Sequence, residues 1–103
     1  MLPKHARLSA LEVKDVLAKG RGRRATVLSL KLLPALPPFR CAVVVSKKVG
    51  STAVLRNKMR RAVYQALSAA SLPPSGHAIL FVQSVPKDPV TVFTSDIKQL
   101  LHV

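Results

Sequence analysis

Apolar residues change their spacing several times along the chain, and each change marks an element. Leu8, Val13, Val16 and Leu17 recur at helical intervals. Ser9 and Glu12 have capping-box spacing, and Leu8 and Val13 that of a hydrophobic staple, so a first helix is expected to run to about Lys19 and stop at Gly20. Gly20 to Arg24 reads as a basic turn. Ala25 to Leu33, β-branched or aliphatic and broken only by Ser29 and Lys31, reads as a strand. Pro34, Pro37 and Pro38 force a turn, because proline neither donates to a ladder nor continues a helix. A second strand follows at Arg40 to Ser46; its CAVVV core is too continuous to alternate, which predicts cover on both faces.

Ser46 to Thr52 is a basic loop, and a second helix is expected from Ala53 to Ala70. At about 100° per residue, Leu55, Met59, Ala62, Ala66 and Ala70 fall on one side with Val63 at the edge. Arg56, Asn57, Arg60 and Arg61 fall on another, with Lys58 just beyond. Pro73 and Pro74 end this helix. His77 to Ser84 reads as a third strand, and a last helix ends near Leu101, with Thr91, Thr94 or Ser95 as its cap. The order α-β-β-α-β-α describes an α+β fold, a two-layer α/β sandwich on a small central sheet. With 103 residues there is room for a single domain, 1–103.

Charge changes the picture most. Seventeen Lys and Arg stand against four acids, a formal net charge of +13, and the acids are Glu12, Asp15, Asp88 and Asp96. From Val16 to Lys87 there are thirteen basic residues and no acid, so this section cannot neutralise itself and calls for a polyanion. An anionic membrane would require a lipid anchor or an amphipathic helix with a large apolar face, and no apolar run reaches spanning length. No membrane partner is expected. Lys4, His5 and Arg7 are not followed by the apolar core of a secretory signal, and the single Cys41 excludes an internal disulfide, which suits a cytoplasmic location. Cys41 itself reads as a small buried side chain.

Catalytic resources are thin. Glu12 and Asp15 share a helical face, but the capping box already employs Glu12. His5, His77 and His102 lack metal-ligand spacing, Ser46 and Ser51 lack a visible base, and Gly50 opens no phosphate loop of the Walker kind. No active site, metal or cofactor is expected in the polypeptide. What remains is the block from Ser46 to Leu67, where a basic loop feeds a basic helix face. Arg forks onto phosphate, Lys supplies a mobile point charge and Asn both donates and accepts. Like charges four apart on a helix repel, and no acid lies nearby in sequence to relieve them.

The stretch SKKVG, Ser46 to Gly50, followed by AVLRNKMRR, Ala53 to Arg61, resembles the signature of the bacterial ribonuclease P protein component family. Lys58 stands where the family usually has Arg or Lys, and the Lys19 to Arg21 run after the first helix also matches. The resemblance implies a protein subunit of ribonuclease P, part of a ribonucleoprotein endoribonuclease whose RNA carries the catalytic centre with Mg2+ and matures transfer RNA 5′ ends. It implies a fold like the second domain of ribosomal protein S5, with a left-handed crossover. Implied partners are the catalytic RNA and precursor transfer RNA, with no DNA. Lys47, Lys48, Arg56, Asn57, Lys58, Arg60 and Arg61 would contact the catalytic RNA. Val13, Leu17, Arg21, Arg24, Thr26, Leu28, Val43 and Val45 would hold the 5′ leader. The family usually places aromatics on the first helix and the leader-facing strands, where this chain has Val13, Leu17, Leu28 and Val43, so leader binding is expected to rest more on charge. Tyr64 and Phe81 are assigned to core packing. The alternative is a non-catalytic ribosomal or other structural RNA-binding protein of the same α/β type.

Overall fold

The expected capping box closes at the start of the first helix. In the computed structural model, which describes residues 8–35, 37–69 and 75–101, Ser9 Oγ accepts from the Glu12 amide at 3.3 Å and Glu12 Oε1 accepts from the Ser9 amide at 2.8 Å. Helix α1 spans Ala10–Lys19. Gly20 ends it with ordinary dihedrals, so its value is closeness: a Cβ there would lie 2.5 Å from the Val16 carbonyl oxygen. Ala70, Pro73, Pro74, His5 and His102 lie outside the described residues.

Among the described residues the remaining elements are β1 (Arg21–Arg24), β2 (Leu28–Leu33), β3 (Arg40–Val45), α2 (Ala53–Ala69), β4 (His77–Val82) and α3 (Pro89–Leu100). The fold is α+β as expected, with one strand more: the supposed basic turn after Gly20 is β1. Its four residues, RGRR, are all exposed. An edge strand held by backbone pairing to a single neighbour needs no apolar face, so it leaves no hydrophobic signature. The strand expected from Ala25 begins instead at Leu28, after a turn in which the Ala25 amide donates to the Leu28 carbonyl at 2.9 Å. Helix α3 likewise starts earlier than Thr91. Asp88 is its N-cap, and Pro89, pre-set to helical φ, occupies the first turn, while Thr94 lies inside and donates to the Val90 carbonyl.

The sheet order is β1-β2-β4-β3, with β3 parallel to β4 and the other pairs antiparallel. One face is fully clothed. Leu28, Leu30, Cys41, Val43, Val45, Ala78, Leu80 and Val82 join Met59, Val63 and Leu67 of α2 and Phe93, Ile97 and Leu100 of α3 in one buried cluster. The other face is only partly covered, by α1, whose Val16 is fully buried. Cover on both faces of β3 was therefore the wrong expectation. β3 is an edge strand, and Val44 on its open side is 40% exposed.

One acid is buried in this core. Asp96 of α3, 2% exposed, accepts from the amides of Val27 at 2.7 Å and Leu28 at 3.0 Å, and so latches the β1–β2 turn onto the helix layer. Arg23 reinforces the latch by donating to the Leu100 carbonyl at the end of α3. Replacing Asp96 with Ala would strand two amides, each costing about 1–3 kcal/mol. Urea unfolding of Asp96→Ala is expected to show a loss of about 3 kcal/mol, and Asp96→Asn, which keeps one acceptor oxygen, a smaller one. A loss below about 1 kcal/mol for the alanine variant would show that the latch does not hold the turn.

Candidate nucleic-acid interface

Two basic surfaces emerge from this framework. The first is the loop from Ser46 to Thr52 with the N-terminal half of α2. The loop closes on itself, the amides of Val49 and Gly50 both donating to the Ser46 carbonyl at 3.1 and 2.9 Å. Thr52 caps α2 by accepting from the Leu55 amide at 3.1 Å. Arg56 then reaches back from the helix and donates through Nη1 to the Gly50 carbonyl at 2.8 Å. A Cβ on Gly50 would lie 2.5 Å from Arg56 Cγ, so only glycine lets this arginine fold over the loop. One turn on, Arg60 donates to Asn57 Oδ1 at 2.8 Å.

Lys47, Lys48, Asn57, Lys58 and Arg61 are exposed, and Arg56 and Arg60 half-buried. Among the described residues the salt bridges are Arg40 and His77 to Glu12, so no acid pairs with these cations. The structure thus brings all seven residues of the expected basic surface onto one loop and the helix it feeds. It adds that Arg56 and Arg60 are oriented by neighbours before any ligand arrives.

The second surface is the open sheet face beside α1. Directly paired residues on neighbouring strands share a face. Arg24, Ser29, Phe81 and Val44 are therefore one row across all four strands, since Arg24 pairs with Ser29, Ser29 with Phe81 and Phe81 with Val44. The next row is Gly22, Lys31, Ile79 and Ala42. Helix α1 is tied to this face at both ends. Lys31 Nζ donates to the Leu17 carbonyl at 3.0 Å, and Glu12 Oε2 lies 3.3 Å from both Arg40 Nη1 and His77 Nε2. The Ser9 backbone amide, then the Ser9 hydroxyl and the charges on His77 and Arg40, hold the Glu12 carboxyl below its ordinary value of 4.5 against the opposing effect of partial burial.

Three of the expected leader-facing residues do not reach this face. Leu28, Val43 and Val45 are 0%, 7% and 6% exposed and point into the α2/α3 core. The continuous CAVVV run carries no phase, and a slip of one residue in a strand moves every side chain to the other face. The alternation of Ser29 and Lys31 between Leu28, Leu30 and Leu32 was the signal that could have set the phase. Val13 is half-buried on α1, Leu17 is 44% exposed, and Arg24 and Thr26 are exposed at the β1–β2 turn. Arg21, paired with Leu32, lies on the α3 side of the edge strand. The face itself presents Ser29, Val44, Gln83 and Phe81. Phe81 is half-buried on the open side, outside the core cluster to which it was assigned.

Cys41 is buried, which pushes its thiol up to about 12 and leaves it unreactive. Among the described residues no helix is long and apolar enough to cross a membrane, and no group of three or more His, Cys, Asp and Glu could hold a metal ion.

A family model described as Ribonuclease P matches residues 2–102. The chain belongs to that family. The ribonuclease P protein component of Thermus aquaticus is 47% identical over 64 residues, which are 62% of this chain and 38% of that protein. That of Thermus thermophilus is 47% identical over 57 residues, 55% of this chain and 34% of its own length. The matched stretch thus spans little more than a third of these relatives. Solved RNase P proteins share the fold across nearly the whole chain. The protein from Staphylococcus aureus aligns with a TM-score of 0.79 at 22% identity, covering 94% of this chain and 93% of that one. The protein from Thermotoga maritima aligns at 0.77 and 18%, covering 94% and 96%.

The contacts that build these two surfaces carry one prediction each. Because the folded-state value of Glu12 is lowered, its contribution to stability is complete above about pH 4.5 and drains away as pH falls through the lowered value. The wild type is expected to exceed Glu12→Gln by about 1 kcal/mol at neutral pH, in thermal or urea unfolding, with the gap closing in acid. A gap independent of pH would contradict the assignment. Gly50→Ala should displace Arg56 and weaken binding of structured RNA about tenfold in filter-binding titrations, while leaving far-UV circular dichroism unchanged. Unaltered affinity would mean that the loop needs no such close approach.

Proposed function

We propose that this chain is the protein subunit of ribonuclease P, which docks on the catalytic RNA through its loop and α2 surface and holds the 5′ leader of precursor transfer RNA on its open sheet face. Family membership supports the reading. The observation that carries it is the ridge of Lys47, Lys48, Arg56, Asn57, Lys58, Arg60 and Arg61, whose cations pair with no acid among the described residues and whose two central arginines are already oriented. Such a ridge suits a phosphate backbone of fixed shape, because ordering entropy is lost in folding and not in binding.

The leader role belongs in this reading to Val13, Leu17, Arg24 and Thr26 with Ser29, Val44 and Phe81, in place of the three buried residues. Arg21 lies at the edge strand's other side and would meet RNA only past that edge. Bond cleavage and its Mg2+ are assigned to the RNA subunit. The polypeptide positions substrate in a cytoplasmic ribonucleoprotein.

Adding the protein to its cognate RNA at limiting magnesium is expected to raise cleavage of precursor transfer RNA. Arg56→Glu with Arg60→Glu should lower assembly with the RNA at least about 100-fold, since attraction becomes repulsion. Arg24→Glu should instead impair leader-bearing substrates more than leaderless ones. Cleavage indifferent to protein at every magnesium level would overturn the proposal. Co-purification of ribosomal RNA in place of a processing RNA would favour a structural RNA-binding role.

A further inference from the structure

We infer that the edge strand β1 is a second docking site for the catalytic RNA, where Arg21 and Arg23 on the helix side of the sheet and the outward amides of Gly22 and Arg24 hold a stretch of phosphate backbone. The inference rests on the ribonuclease P reading above and adds a contact to it. The RNA subunit grips the protein at two opposite edges of the sheet, through the loop and α2 ridge and through β1.

Three of the four residues of β1 are Arg, all four are exposed, and the strand pairs with β2 alone. The pairing sorts the cations by face. Arg21 and Arg23 pair with Leu32 and Leu30, which pack on the α2/α3 side, whereas Arg24 pairs with Ser29 of the open face. The sheet itself thus separates Arg21 and Arg23 from any strand lying on the open face. Residues two apart in a strand stand about 7 Å from each other, so these two guanidiniums form a short row. Arg23 is oriented in advance, its Nη1 donating to the Leu100 carbonyl at 3.2 Å and leaving four N–H groups for a ligand. Lys98, exposed in the last turn of α3, adds a charge at the same end of that helix.

The register of the ladder supplies backbone donors between the cations. The Ala25 amide donates to the Leu28 carbonyl at 2.9 Å, and on the other edge of β2 the Gln83 amide donates to the Val27 carbonyl at 2.8 Å. Bonded and non-bonded pairs alternate along an antiparallel ladder. Arg23 with Leu30 and Arg21 with Leu32 are therefore the bonded pairs, and Gly22 and Arg24 turn their N–H groups away from β2, out of the sheet edge. Outward amides on a sheet edge form an anion-binding surface. Gly22 keeps it open: a Cβ there meets only the Leu30 carbonyl oxygen at 3.9 Å, so the fold has room for a side chain that the strand does not carry.

Among the described residues no acid pairs with these arginines. The salt bridges are those of Glu12, Asp96 is taken up by the Val27 and Leu28 amides, and Asp88 starts α3, about 18 Å from the end that Arg23 meets. The sheet order puts β1 and β3 at opposite edges, about 14 Å apart, and β3 leads into the basic loop. RNA docked on the loop and α2 therefore leaves β1 uncovered. Only an RNA large enough to fold around a domain of 35 × 25 × 24 Å meets both edges at once. The catalytic RNA is the partner of that size, whereas a single strand crossing the open face meets Arg24 and stops short of the helix side.

The test measures assembly of the full-length protein with its cognate catalytic RNA, without substrate, across a salt series. Arg21 makes no side-chain hydrogen bond or salt bridge among the described residues, so its replacement leaves circular dichroism unchanged. Arg21→Glu is expected to weaken assembly about tenfold, and Arg21→Gln to lower the slope of log affinity against log salt by about 1. Combined with Arg61→Gln on the ridge, the Arg21→Gln loss should add, because one RNA holds both distant sites together. Cys41 is buried, so a cleavage probe tethered through Arg21→Cys acts from β1 alone. Its cuts in the catalytic RNA should fall in a different segment from those of a probe at Lys58→Cys. Unchanged assembly and salt slope in both Arg21 variants overturn the second site. So does unchanged assembly with a selective loss on leader-bearing substrate, which would make Arg21 part of the substrate face. Either can happen in a protein that still raises cleavage at limiting magnesium. A wild type that neither assembles with the catalytic RNA nor raises cleavage overturns the ribonuclease P reading itself.

Discussion

Successive side chains of a β-strand point to opposite faces, and in this molecule that two-residue period decides which residues build the core and which can meet a ligand. The sheet is clothed unequally: α2 and α3 bury one face in a continuous cluster, whereas α1 covers only part of the other. Odd and even positions of β2, β3 and β4 therefore have different occupations. Leu28, Leu30, Val43, Val45, Leu80 and Val82 supply apolar burial, while Ser29, Lys31, Val44 and Phe81 supply a floor. A shift of register by one residue would exchange core and floor in every strand at once, so the packing of α2 and α3 fixes the chemistry of the opposite face.

Three of the four acids have places in the fold away from the basic loop and helix. Glu12 closes the cap of α1 and ties that helix to Arg40 and His77. Asp96 is spent on two backbone amides inside the core, and Asp88 is the N-cap residue of α3. Among the described residues none of these three reaches the loop and α2 cations. Like charges at Arg56 and Arg60 repel by a few tenths of a kcal/mol, a strain that a core of buried Leu, Val, Ile and Phe side chains easily carries. What remains is a field that phosphates or salt must screen.

Much of this was legible before any coordinates. The capping box, the two-faced α2 and the acid-free middle section are local patterns, and local patterns survive into the fold because they rest on contacts three or four residues apart. β1 was illegible for a different reason: an exposed edge strand is held by backbone pairing to β2 alone and buries no side chain, so RGRR carries no apolar mark of it. Asp96 escaped notice because its partners, Val27 and Leu28, lie almost seventy residues earlier. Phe81 was misjudged by the same route as Val43. A hydrophobic run such as HAILFV says that a strand is buried somewhere, and only the neighbouring strands say on which side.

Arg56 shows why charge counting alone undervalues such a surface. Its guanidinium already donates to the Gly50 carbonyl, so one N–H is spent on the protein and four remain for a ligand. The contact joins the loop that carries Lys47 and Lys48 to the helix that carries Asn57, Lys58, Arg60 and Arg61. A flexible lysine loop would lose about 0.5–1.5 kcal/mol of side-chain freedom for each cation fixed on binding, and a loop already closed over an arginine loses less. Neutralising Arg56 therefore removes more than one charge from the surface, because the loop cations lose their fixed relation to the helix. Neutralising Arg61, which makes no side-chain hydrogen bond or salt bridge among the described residues, removes its own charge and little else.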